Sequence, residues 1–355
     1  MKKTLGIGVI GLGQISQIAH LPYLNELPDY EIRAICDISD KVLNSMGRRF
    51  GIVNCYKDYK KLLGQADIDA VLVATSDHAD IAVDALNAGK HVFCEKPMAF
   101  NLLQCDAMIE AADNNHVKLM IGYMKRYDPA YQFALPILND IQGLRFIRVH
   151  DLAGGEHINR EIYDLVAPDD VSVDTRRRLL HAERDAKLVA IGSNRADLLD
   201  AYGLLLGLCS HDSIVLHEAF GAPTKIQHVD IFANNCIVAI LEYGPEVRCV
   251  WECGVLAYRS DWDQHLQAYG QNRSVQVEFP FPYLKNAETY LHVNEMENGV
   301  NVKKRYQVSF DEAFKREWRH FYECITENRQ PITDGSKGRR DVEFLIDLVR
   351  VARPC

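Results

Sequence analysis

A chain of 355 residues, 48% hydrophobic and 25% charged, is too long for one ordinary core and points to two globular domains. The formal charge of −9, with only the short basic runs Arg176–Arg178 and Lys337–Arg340, excludes a nucleic-acid-binding role, and no apolar run reads as a bilayer span. Met1-Lys2-Lys3-Thr4 leads straight into an apolar strand without a signal-type segment, so a cytoplasmic protein with no membrane partner is expected.

In chain order, Leu5–Ile10 is a short apolar run ending at Gly11, which reads as a buried strand, followed by a helix over about Gln14 to Asn25. Glu31–Cys36 is a second strand, and Ser39-Asp40 opens a helix that Gly51 stops. Ala70–Thr75, His91–Cys94 and Val117–Ile121 are three further strands. His78–Asn87 and a helix capped by Asn101 lie between them. Strands alternating with helices at this spacing predict a doubly wound parallel sheet of the Rossmann type over residues 1–122.

From residue 123 to residue 355 the pattern predicts an α+β domain with a large, mainly antiparallel sheet. Its strands are Phe146–His150, Lys225–Phe232, Cys236–Glu242, Val247–Trp251, Gln264–Tyr269 and Val275–Phe279. Two closing helices, Phe310–Glu327 and Gly338–Val351, end the chain, and the last helices are free to pack back on the first domain. The ten cysteines contain no Cys-x-x-Cys pair. Cys249 and Cys253 share one face of a strand, which suits a metal or a disulfide, but no second pair completes a zinc set. Buried free thiols are the better reading, and no metal is expected.

Gly11-Leu12-Gly13-Gln14-Ile15-Ser16 sits at a strand-to-helix turn. The first glycine permits the turn, the second admits a diphosphate to the backbone, and Ser16 stands where a small residue allows close packing. Free N–H groups and the helix dipole then favour phosphate. Taken alone, the motif is equally a tight corner. Asp37 adds weight: a carboxylate at the end of the second strand accepts ribose hydroxyls and repels a 2′-phosphate, so NAD is expected over NADP. Arg33, Arg48 and Arg49 are the cations whose approach would reverse this.

Ala88-Gly89-Lys90-His91-Val92 followed by Glu95-Lys96-Pro97, downstream of a Gly-x-Gly turn, resembles the glucose–fructose oxidoreductase/inositol dehydrogenase/MocA family. His20-Leu21-Pro22, Gly122 through Pro129, Tyr269-Gly270 and Phe321 through Arg340 carry the likeness over nearly the whole chain. The resemblance implies an NAD(P)-dependent dehydrogenase acting on CH–OH groups of a sugar, inositol or related polyol, working as a homodimer or homotetramer. It places Thr75, Ser76 and His78 with Gln14 and Ile15 on the cofactor, Glu95 on the nicotinamide ribose, and Lys96 on the reacting hydroxyl, commonly before a cis proline. It also implies His211 as general base, with Asp212, Tyr123, Arg126 and Tyr127 lining the substrate cleft.

The family's usual acid four residues before that histidine is absent, because Gly207 stands there, and His217 is an alternative match on the same run. Lys125 and Asp128 in the same stretch as Arg126, and His157, Arg160 and Tyr163 in the irregular segment, are further cleft candidates. Two rival functions share the fold: a glycoside-cleaving enzyme that uses tightly bound NAD through transient oxidation and elimination, and a non-catalytic sugar or nucleotide sensor. The lysine of Glu95-Lys96-Pro97 argues against the sensor, since pure binding has no need of it.

Overall fold

The computed structural model describes residues 3–154, 162–233, 235–256 and 261–353. They form two compact units. The first is Met1–Tyr123, Arg160–Ala190 and Phe314–Val342, and the second is Met124–Asn159, Ile191–Ala313 and Glu343–Cys355.

The first unit is built on a six-stranded parallel sheet: β1 Leu5–Ile10, β2 Tyr30–Cys36, β3 Cys55–Tyr56, β4 Ala70–Val73, β5 His91–Glu95 and β6 Leu119–Gly122. The order is β3-β2-β1-β4-β5-β6. The order reverses beside β1, and in open α/β sheets the carboxyl ends of the strands at such a reversal hold the ligand. Every residue of β1 is buried, as a strand covered on both faces requires. The predicted caps are present: Ser39 accepts a hydrogen bond from the Val42 amide, Gly51 ends that helix at φ 68°, and Asn101 accepts from the Gln104 amide. The two-residue β3 and the short helix Tyr59–Leu63 went unpredicted, being too brief to show a period.

The second unit carries an eight-stranded sheet: β7 Phe146–Ala153, β8 Lys225–Phe232, β9 Cys236–Glu242, β10 Arg248–Val255, β11 Asp263–Tyr269, β12 Arg273–Phe279, β13 Tyr290–Glu297 and β14 Val300–Gln307. Its order is β14-β13-β12-β11-β7-β10-β9-β8, antiparallel except where β7 meets β10. The hairpin β13–β14 was also missed. Its Asn298-Gly299 turn, with φ of 52° and 78°, was a readable signal, but Lys303, Lys304 and Arg305 disguise β14 as a polar loop.

Two expectations are corrected here. Cys209 and Cys253 are joined in a disulfide. Strand alternation turned Cys253 inward as read, but its partner lies on a helical segment 44 residues away, which spacing rules do not reveal. Seven of the other cysteines are free thiols. Among the described residues one helical run, Ser193–Phe220, is also long and apolar enough by length and composition to cross a membrane, and 67% of its most apolar window is buried inside the protein. Leu198, Tyr202, Leu205, Ile214 and Leu216 spend that apolarity on the core of the second unit.

Candidate functional site

In the first unit, the carboxyl ends of β1, β2, β4 and β5 bring the predicted dinucleotide residues to one edge of the sheet. Gly11 has φ 91°, and a Cβ there would lie 2.7 Å from the backbone of Ala74, so only glycine makes this turn. A Cβ on Gly13 would meet nothing within 4 Å, which leaves an open approach to the backbone for a diphosphate. Ser16 is fully buried and its hydroxyl donates to the Gly11 carbonyl at 2.7 Å. Gln14 and Ile15 are half-buried in the first helical turn, which then continues through a π-turn, Ser16–His20, rather than as a regular α-helix. The Asp37 carboxylate accepts the Leu12 and Ser39 amides, each at 2.8 Å, which fixes it against the glycine turn. Thr75 is half-buried and its hydroxyl donates to the Asp77 carbonyl at 2.6 Å, while Ser76 is exposed. The turn and its carboxylate therefore fit a nicotinamide dinucleotide.

Glu95 and Lys96 are held by a network that the sequence did not announce. The Lys96–Pro97 peptide bond is cis. Trp318 Nε1 donates to His20 Nδ1 at 3.0 Å, so the imidazole proton sits on Nε2 and points at Glu95 Oε1, 2.8 Å away. Glu95 Oε2 accepts the Lys96 amide at 3.1 Å. Burial pushes the Glu95 carboxyl up, but the His20 hydrogen bond and the nearby Lys96 charge carry it below its ordinary range. Burial drives His78 down to about 4, against the charge of Glu95, so it is neutral near pH 7. Gly122 leaves room for this group, because a Cβ there would stand 3.0 Å from Glu95 Oε1.

Glu317 completes a trio in which ligand-type atoms of His20, Glu95 and Glu317 lie within 4.8 Å of one another. The arrangement is a poor cation site. Both imidazole nitrogens are engaged, by Trp318 and by Glu95, and a metal needs one of them as a lone pair. Among the described residues neither Glu317 oxygen has a hydrogen-bond partner, and burial with the charge of Glu95 raises its carboxyl well above the usual range. The folded chain thus binds a proton that the unfolded chain releases above about 4.5, and stability from this group is lost as the pH rises. Glu317→Met is accordingly expected to raise the thermal midpoint by a few degrees at pH 8 and by much less at pH 5. Equal midpoints of variant and parent at both pH values would contradict a neutral, unpartnered Glu317.

Tyr123 is fully buried in the first unit, with its hydroxyl donating to buried Asp341 at 3.0 Å. Burial, then the Asp341 charge, raises its phenol well above the ordinary value.

In the second unit, the helix Ser210–Phe220 carries half-buried His211 and buried Asp212. Gly207 lies in a π-turn, Leu205–Cys209, directly before that helix, so simple helical spacing from His211 breaks down across it. His217 is buried edge-on to Phe344 at 4.7 Å. Asp212 accepts from Gln264 Nε2 at 2.6 Å and from Trp251 Nε1 at 3.4 Å. The same Gln264 nitrogen donates to Asp151 at 2.8 Å, and Trp262 Nε1 donates to Asp151 at 2.8 Å. Burial raises both carboxyls, and the adjacent Asp212 charge holds Asp151 well above the carboxylate range. The Lys125 ammonium, 4.7 Å from the Phe279 ring centroid, offsets that charge.

Arg126 is buried and pairs with Glu218 at 2.8 Å, Tyr127 is buried, and Asp128 caps a helix while accepting from Thr289 at 2.6 Å. His157 and Arg160 lie outside the described residues, and half-buried Tyr163 follows them. Asp151, Gln264 and Trp262 were missed. Their one signal was an acid at an inward position of β7, whose predicted end stopped at His150.

A family model described as an oxidoreductase family with an NAD-binding Rossmann fold matches residues 5–123. Inositol 2-dehydrogenase of Salmonella typhimurium is 36% identical over 161 residues, covering 44% of this chain and 46% of the relative. Myo-inositol 2-dehydrogenase of Thermotoga maritima is 40% identical over 124 residues, covering 34% of this chain and 37% of that enzyme. The chain thus spans less than half the length of these curated relatives. A 3-ketoreductase from Actinomadura kijaniata, solved with NADP and TDP-benzene, shares the fold with a TM-score of 0.75 at 18% identity, over 99% of this chain and 98% of that one.

Proposed function

We propose that the chain is a member of the glucose–fructose oxidoreductase/inositol dehydrogenase/MocA oxidoreductase family and an NAD-dependent dehydrogenase of a sugar, inositol or related polyol. The observation that carries this reading is the common sheet edge, where the Gly11–Gly13 turn and Asp37 stand at the ends of β1 and β2 and Glu95-Lys96 at the end of β5. Gly11, Gly13 and Asp37 hold the dinucleotide, with Thr75, Ser76 and His78 beside them. The bound nicotinamide supplies a site that accepts or returns a hydride.

The chain's own residues supply the rest. Glu95, pinned by His20, presents Lys96, whose ammonium hydrogen-bonds the reacting hydroxyl and steadies the oxygen as its proton departs. The family resemblance assigns the general base to His211 and the binding of further hydroxyls to Asp212, Arg126 and Tyr127. The chain acts as a homodimer or homotetramer. Support for this comes from Val238, Ile240 and Val250, which line the half-exposed face of the eight-stranded sheet.

The test is a panel of inositols, sugars, uronic acids and glycosides offered with NAD or NADP, following both reduced nicotinamide and sugar products. Reduction of NAD by at least one inositol or sugar is expected. Glycoside cleavage without accumulating NADH would replace this reading with the elimination chemistry, and silence across the panel would leave a sensor.

A further inference from the structure

Residues 162–172 belong to the first unit and have no part in the reading above. They form a strap tied at two points. The Gln17 side chain donates to the Val166 carbonyl at 3.0 Å and accepts the Val166 amide at 2.9 Å. Further along, the Asp170 carboxylate accepts the Ser39 hydroxyl at 2.5 Å and the Lys41 amide at 3.0 Å. Arg176 braces the strap by donating to the carbonyls of Pro168, Asp169 and Val171. One tie follows the glycine turn and the other follows Asp37, so the strap crosses the carboxyl ends of β1 and β2.

The second tie has a chemical consequence. A phosphate at the end of β2 would seek the free N–H groups that open the helix Asp40–Phe50, together with any nearby cation. Those donors are already engaged: the Ser39 amide by Asp37, the Lys41 amide by Asp170, and the Val42 amide by the Ser39 hydroxyl. Three nearby cations are engaged as well, Lys41 with Asp169, Arg49 with Asp164 and Lys57 with Asp40, at 2.7, 2.7 and 2.8 Å.

We propose that Asp170 is a specificity-determining residue: it fills the anion position beside Asp37 and so bars the 2′-phosphate of NADP. The inference rests on the dinucleotide reading of this site. Hydrogen bonds from the Ser39 hydroxyl and the Lys41 amide hold the Asp170 carboxyl below its usual range, so its charge persists at every working pH. An arriving 2′-phosphate meets two carboxylates, no unengaged helix-opening amide at Ser39, Lys41 or Val42, and three cations already paired with acids.

The test is titration calorimetry of the nucleotide-free protein with NADH and NADPH, which reads binding without turnover. Wild type is expected to prefer NADH by at least about 100-fold. In Asp170→Asn and Asp170→Ala that ratio falls at least about fivefold, whereas Asp170→Glu keeps it. Parallel weakening of both nucleotides, or an unchanged ratio, would make the strap merely structural and overturn the proposal. A wild type that favours NADPH overturns it too while leaving the dinucleotide site intact. Binding of neither nucleotide would instead remove the dinucleotide reading on which it rests.

Discussion

Lys96→Ala is expected to lower kcat for the oxidised polyol by about 10³-fold while leaving the dissociation constant of NADH within a few-fold of wild type. The reason lies in how tightly the lysine backbone is determined. Lys96 leaves a buried parallel strand, its amide is bonded to Glu95, and Glu95 is bonded to His20. A side chain launched from so fixed a point contributes by orientation as well as by charge, so deletion forfeits both. The substrate retains its other contacts, and KM is expected to change less than kcat. Steady-state kinetics on the active substrate, with circular dichroism to verify the fold, makes the measurement. A folded Lys96→Ala protein with turnover within tenfold of wild type would remove Lys96 from the chemistry.

The second large effect separates two glycines that look equivalent in sequence. Gly13→Ala is expected to keep the thermal midpoint within about 1 °C and to weaken NADH binding at least about tenfold, because the new methyl meets no protein atom and occupies the approach to the turn. Gly11→Ala is expected to lower the midpoint by several degrees, since its Cβ would collide with the Ala74 backbone at 2.7 Å and its φ of 91° strains any L residue. Differential scanning fluorimetry and NADH titration read the two properties independently. Undiminished NADH binding by Gly13→Ala would contradict the assigned path of the diphosphate.

What was legible in the residues was local chemistry. The Gly11-Leu12-Gly13 turn, the Ser39 and Asn101 caps and the alternation of strand and helix are written within a few neighbouring positions, and the parallel sheet follows from them. Glu95-Lys96-Pro97 was equally compact. What stayed hidden depends on partners far apart in the chain: Trp318 with His20, Gln264 with Asp151 and Asp212, Cys209 with Cys253, and Asp170 with Ser39. Glu317 shows the limit best. It sits on the apolar stripe of its helix between Phe314 and Phe321, a visible anomaly, yet nothing in that periodicity says which buried group it approaches.

The dependence of His20 on Trp318 bears on how the protein is made. The first unit is discontinuous in sequence, and the helix Ala313–Thr326 that supplies Trp318 emerges from the ribosome long after the sheet strands it joins. During synthesis Phe93 and Tyr30 wait without the indole that packs against them at 4.5 and 5.3 Å, and Glu95 waits without a fixed imidazole. Nascent chains therefore carry the glycine turn early but gain a fully braced Lys96 only after the Trp318 helix has been made, so the lysine proposed for the chemistry matures well after the turn.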